Sequence, residues 1–165
     1  MRKLKLAIRL LLLCLYIDVI NSQLVNPVKQ WPSCNNCYAV VARDVLLWHM
    51  PRLKNVTLQQ LMEDSHQTCA GGVPTKIWNH FFRKGTKVKS ITKLGMFQKK
   101  LAEIILKHGP VVINKGTNHL VTAFNVDNKG ILIHDPKNLN LQIWETSDII
   151  KEQTKGFFYI AYPIF

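Results

Sequence analysis

The spacing of apolar and polar positions divides the chain into a helical first part and a stranded second part. From Tyr38 to His49 the run YAVVARDVLLWH is apolar on most sides. That pattern predicts a largely buried helix, ended by Met50-Pro51. Val56 to Met62 predicts a second, short helix with Thr57 as its cap. Cys69-Ala70-Gly71-Gly72-Val73-Pro74 reads as a loop of high backbone freedom, followed by a third helix over Thr75 to Phe82. Basic linker residues then lead to an amphipathic helix near Leu94–Lys107, with Phe97, Leu101, Ile104 and Ile105 on one face and Gly109-Pro110 as its stop. Beyond Pro110 the period shortens. Val111 to Ile113, His119 to Asn125, Gly130 to His134, Leu139 to Trp144 and Phe157 to Pro163 read as strands, separated by Gly, Asn, Asp and Lys. Helices first and strands second predict an α+β fold, with a helical half packed against an antiparallel sheet half.

The N-terminus changes the accounting. Arg2, Lys3, Lys5 and Arg9 precede the short apolar run Leu10 to Ile17, and Ile20-Asn21-Ser22 follows. This predicts a signal peptide over 1–22, since the run is too short to span a bilayer. A single domain over 23–165 is expected to remain, in a secreted or lysosome-like compartment. The whole chain has 165 residues and a formal charge of +12; the first 22 carry four basic residues and Asp18, a net +3, so the remainder stands at +9. Such a balance favours anionic glycans or other acidic surfaces by long-range attraction. Nucleic acid is not an expected partner of an exported protein, and the chain is expected to act as a monomer.

Cys14 would leave with the signal, so Cys34, Cys37 and Cys69 remain. Three cysteines cannot all pair within one chain. One is left over, either to bridge two chains or to stay a free and reactive thiol. A redox C-x-x-C would strand Cys69 and lacks a preceding strand. The histidines at 49, 66, 80, 108, 119 and 134 offer no zinc spacing, and no metal is expected.

A thiol at a helix N-terminus feels the positive end of the helix dipole and nearby N–H groups, which favour thiolate. Cys37 occupies that position. A thiolate nucleophile also needs a base, and the base needs an orienting group. His119 opens one predicted strand and Asp135 ends the next, in His134-Asp135-Pro136. On adjacent strands these two side chains come within hydrogen-bond reach. Asn55-Val56-Thr57 is in addition a glycosylation sequon, with Asn55 in a surface turn.

These residues resemble the papain family. Pro27-Val28-Lys29-Gln30-Trp31-Pro32-Ser33-Cys34-Asn35-Asn36-Cys37-Tyr38-Ala39 is similar, without a gap, to P-V-K-N-Q-G-S-C-G-S-C-W-A. Leu58 to Asp64 resembles S-E-Q-x-L-V-D, and Cys69 to Pro74 resembles C-N-G-G-x-P. His108 to Ile113 followed by Asn118-His119-Leu120-Val121 resembles G-P-V-S-V followed by N-H-A-V. The four motifs fall in order across most of the chain after residue 22. The resemblance implies a papain-like fold and a secreted cysteine endopeptidase acting on peptide or protein substrates, without metal or organic cofactor. Cys37 would be the nucleophile, His119 the proton carrier and Asp135 the orienting group. It also implies a Cys34–Cys69 disulfide, and a substrate backbone running past Gly71, Gly72 and Asn118, where an added side chain would obstruct it.

The chain departs from the family at several points. Trp31 stands where the family has its oxyanion glutamine, and Gln30 lies one residue earlier. Asp135-Pro136 replaces the usual Asn-Ser-Trp. The segment between Phe82 and Leu94 is short, and no pro-segment separates the signal from the first motif. An alternative follows: a catalytically inactive homologue that keeps the fold and binds peptides or a protein partner.

Overall fold

A computed structural model of the chain describes residues 28–82, 86–91, 97–114, 119–145 and 158–164. The signal peptide expected over 1–22, and Asn118, lie outside the described residues. The elements are α1 (Cys37–His49), a 3-10 turn (Pro51–Leu53), α2 (Leu58–Asp64), α3 (Pro74–Phe81), β1 (Thr86–Ile91), α4 (Phe97–His108), β2 (Val111–Asn114), β3 (Leu120–Val126), β4 (Gly130–His134), β5 (Leu141–Glu145) and β6 (Phe158–Pro163). The six strands form one sheet in the order β1-β6-β2-β3-β4-β5, every neighbouring pair antiparallel. This is the α+β architecture that the order of patterns predicts.

The local signals have visible causes. The Thr57 hydroxyl accepts a hydrogen bond from the Gln60 N–H at 3.2 Å, and the Gln60 side chain accepts from the Thr57 N–H at 2.9 Å. That capping box satisfies two donors which α2 would otherwise leave bare. Pro74 starts α3 at a position where a missing N–H costs nothing. The Asp127 carboxylate accepts the N–H groups of Lys129 and Gly130, which closes the turn between β3 and β4. One expectation fails at 86–91. The stretch expected to be a basic linker is instead an edge strand, Thr86 to Ile91 paired with Pro163 to Phe158. The β-branched Thr86 and Val88 alternating with Lys87 and Lys89 were its only local signal, and Ser90-Ile91 breaks that alternation.

The sheet is covered on both faces, and strand periodicity sorts its side chains between them. Val111, Ile113, Val121, Ala123, Ile131, Ile133, Ile160 and Tyr162 bury against Leu101, Ile104 and Ile105 of α4. Val112, Leu120 and Ala161 face the other way, into the core formed by α1, α2 and α3. Phe124, with Leu132, packs beside Trp48 of α1 on that same side. Two-sided burial explains why the central strands read as nearly continuous apolar runs. It also places α4 on the sheet face opposite the other three helices, with the ends of α1 and α4 meeting where His49 hydrogen-bonds the His108 backbone. The α1 face is the one that carries the site.

Candidate active site

Cys37 begins α1, and its thiol is free and half-buried. Asn36 precedes it, fully buried, and its carboxamide oxygen accepts the Trp31 N–H at 3.1 Å. Cys34 and Cys69 form a disulfide that closes 35 residues of separation. The Asn35 N–H donates to the Cys69 carbonyl at 2.9 Å beside the bridge. Together these tie the approach to α1 onto the Cys69–Pro74 loop. The two segments form one wall of an open cleft of about 800 Å³ lined by Cys37, Gly71, Gly72, Gln30, His119 and Lys137, among others.

The other wall comes from the sheet. β3 and β4 pair with Thr122 opposite His134, so their open end carries both His119 and Asp135. The His119 ring nitrogen Nε2 lies 2.6 Å from Asp135 Oδ1. His119 also interacts with the Cys37 thiol, through a side-chain hydrogen bond and through charge. The Asp135 side chain is held in turn by the Lys137 N–H at 3.0 Å, and Asn138 N–H closes the turn on the Asp135 carbonyl at 2.8 Å. Thiol, imidazole and carboxylate therefore stand in one line, drawn from a helix N-terminus, a strand start and a strand end.

The electrostatics follow from that line. Burial alone raises the Cys37 thiol. The hydrogen bond from His119, the N–H of Leu120, the imidazolium charge and the N–H of Tyr38 outweigh it and hold the thiol below its ordinary value of 9.0. Burial disfavours charge on His119 as well. Hydrogen bonds to Asp135 and Cys37, with the negative charge on each, push it from 6.5 up to about 9. Each partner thus favours the charged form of the other.

The glutamine question resolves in space. Gln30 lines the cleft, and its N–H donates to the Pro136 carbonyl at 2.8 Å, next to Asp135. Its Oε1 is buried without a hydrogen-bond partner among the described residues. Trp31 is not brought to the site. It is 39% exposed and lines a separate groove with Val28, Arg43 and Leu58. A one-residue step along an extended segment turns a side chain to the opposite side, so gap-free spacing put the wrong residue on the cleft.

The two glycines differ. A Cβ on Gly71 would meet nothing within 4 Å, and its φ of +144° is one that side chains rarely adopt. A Cβ on Gly72 would lie 2.6 Å from the Tyr38 ring and 2.5 Å from Gln67 Oε1. Gly72 is therefore required by the packing behind the cleft wall, not by whatever passes in front of it. Asn55 is exposed in the turn before α2, as a sequon requires. The sequence pattern did not point to Asp44, Thr122 and His134, three buried polar residues one layer behind the cleft.

No protein-family model matches the chain, and no curated protein does either. Its fold is similar to that of the peptidase domain of Streptococcus ComA, a bi-functional ABC transporter involved in a quorum-sensing pathway. The two share 16% identity over 84% of this chain and 98% of that one, with a TM-score of 0.57. A double glycine motif protease from an AMS/PCAT transporter, solved in complex with its leader peptide, is similar over 84% of this chain and 92% of its own, at 21% identity and TM-score 0.57. UfSP from C. elegans is similar over 80% of this chain but only 30% of its own, at 16% identity and TM-score 0.50. At these identities the likeness is one of fold, the papain-like α+β fold. It does not reach to the papain and cathepsin family in particular.

Proposed function

We propose that this chain is a cysteine peptidase that hydrolyses peptide bonds through Cys37, His119 and Asp135. The observation that carries the reading is the hydrogen-bonded line of thiol, imidazole and carboxylate on an open cleft. The Cys37 thiolate attacks the substrate carbonyl carbon, and the carbonyl electrons move to oxygen. The backbone N–H of Cys37 and the carboxamide of Gln30 stabilise that oxyanion. The His119 imidazolium gives its proton to the leaving nitrogen as the C–N bond breaks. A thioester on Cys37 remains. Neutral His119 then takes a proton from water, which attacks the thioester and releases the acid and the thiolate. Asp135 keeps the imidazole in the plane and tautomer these transfers need.

The place of Gln30 on the cleft weighs against the alternative of an inactive homologue, because that alternative drew on Trp31 as a replacement for the family glutamine. Two fold neighbours are a peptidase domain and a protease crystallised with a leader peptide. They support a peptide substrate here. The neighbouring protease's double glycine motif supplies the first substrate to try: a segment containing two adjacent glycines. The disulfide suits an oxidising compartment as the place of action, and the signal peptide expected over 1–22 would deliver the chain there. The test is turnover of a peptide library, enriched in double-glycine segments, by the full chain and by Cys37→Ser. Cleavage that vanishes in the variant is the expected result. Equal cleavage by both would overturn the reading.

A further inference from the structure

Behind the cleft lies a second polar cluster, sealed from water. Asp44 Oδ2 accepts a hydrogen bond from the Thr122 hydroxyl at 2.7 Å and lies 2.7 Å from His134 Nδ1. His134 Nε2 lies 3.1 Å from the Asn138 carbonyl. The Asp44 and His134 side chains are both 0% exposed. We propose that this buried pair positions the reactive site, latching the helix of Cys37 to the strand and turn that carry Asp135.

Asp44 follows Cys37 by seven residues, so both project from one face of α1, separated by about 10 Å along its axis. That face meets β3, where the Leu120 N–H reaches Cys37 and the Thr122 hydroxyl, two residues on, reaches Asp44. His134 sits opposite Thr122 on β4, and the next residue is Asp135. One imidazole thus has one nitrogen on the nucleophile's helix. Its other nitrogen is on the turn that Asp135 opens. Both of its partners are oxygens, a carboxylate and a carbonyl, so both ring nitrogens are satisfied when His134 is doubly protonated and charged, while Asp44 Oδ1 is buried with no hydrogen-bond partner among the described residues. Burial opposes that charge. The Asp44 carboxylate, its hydrogen bond, the Asn138 carbonyl and the nearby charge of Asp135 outweigh it and raise His134 above its ordinary value. Arg43, beside Asp44 on α1, turns away to the carbonyls of Val56 and Lys54.

Stability alone is a poor account of such a pair. Desolvation of two charges roughly cancels their attraction, and apolar replacements of similar size are often as stable. What a buried pair does impose is register: only one placement of α1 on the sheet satisfies it. That placement brings Cys37 within reach of His119.

The inference rests on the peptidase reading, and the test separates the two. Asp44→Asn, His134→Gln and the milder Thr122→Val would be made in the full chain. Alkylation of Cys37 by iodoacetamide would be followed against pH, with circular dichroism and thermal unfolding recorded alongside. Leu61→Ala, a cavity in the α2 core, serves as the merely structural control. Folded Asp44→Asn and His134→Gln proteins are expected to react roughly 10- to 100-fold more slowly at acid pH, with the acid limb displaced upward. Thr122→Val should fall between them and the parent, and Leu61→Ala should lose stability without moving the limb. In the unaltered protein, nitrogen-15 spectra of labelled histidine should show His134 protonated on both nitrogens at neutral pH. A neutral His134, or folded variants with the parent's profile, would overturn the positioning role and leave the peptidase reading intact. A parent Cys37 that titrates as an ordinary thiol would overturn both. Variants that do not fold leave the decision to Thr122→Val and the histidine spectra.

Discussion

The charge on His119 depends on Asp135, and Asp135→Asn isolates that dependence. The substitution keeps the shape and an oxygen that can meet the ring, and removes the negative charge. In the folded protein His119 holds its proton up to about pH 9, whereas the unfolded chain releases it near 6.5. That difference corresponds to about 3 kcal/mol, shared between the Asp135 carboxylate and the Cys37 thiolate. Because the folded value is the higher one, the stabilisation is complete below pH 6.5 and is lost as the pH rises through about 9. A neighbouring carboxylate accounts for roughly one to three pH units of such a displacement. Asp135→Asn should therefore move the loss of the imidazolium down to between roughly pH 6 and pH 8. The assay is paired alkylation of Cys37 by iodoacetate and by iodoacetamide. Both report the thiolate, but only the anionic reagent is drawn in by a neighbouring cation. Their rate ratio should stay high in the parent until about pH 9 and collapse earlier in the variant. An identical pH dependence in the two proteins would refute the coupling of Asp135 to the thiolate–imidazolium pair.

Further outcomes follow from the same geometry. Gln30→Ala should lower kcat by roughly 10²- to 10³-fold while leaving Cys37 alkylation unchanged, and Trp31→Ala should leave kcat near the parent's, both read from initial rates. Replacing Cys34 and Cys69 by Ser opens a loop of 35 residues' separation and should cost roughly 3–4 kcal/mol in denaturant unfolding. Gly72→Ala drives a methyl into the Tyr38 ring and should cost roughly 1–3 kcal/mol, read as a lower urea midpoint.

Most of the elements were legible because their signals are local. The apolar run of α1, the capping box of α2 and the turn residues between strands each depend on a few neighbouring positions. β1 was not legible, since its lysines outweighed a short alternation and its partner β6 lies some seventy residues away in sequence. The covering of the sheet's second face by α4 was hidden too. An amphipathic helix shows that it has an apolar face, not which surface that face will meet.

The site divides along the same line. Cys37, His119 and Asp135 could be named from residue type and element ends, because their chemistry demands a helix start and two adjacent strand termini. Gln30 against Trp31 could not be decided, because one residue of slip in an extended segment changes the side chain's direction completely. The Asp44–Thr122–His134 cluster left no pattern at all. Thr122 is a lone polar residue in an apolar run, Asp44 adjoins Arg43 and His134 adjoins Asp135, and nothing along the chain says that the three converge. Only pairing β3 with β4 beneath α1 brings them together. Residues that touch substrate are constrained by chemistry, which sequence spells out. Residues that hold those in place are constrained by packing, which emerges once the chain has folded.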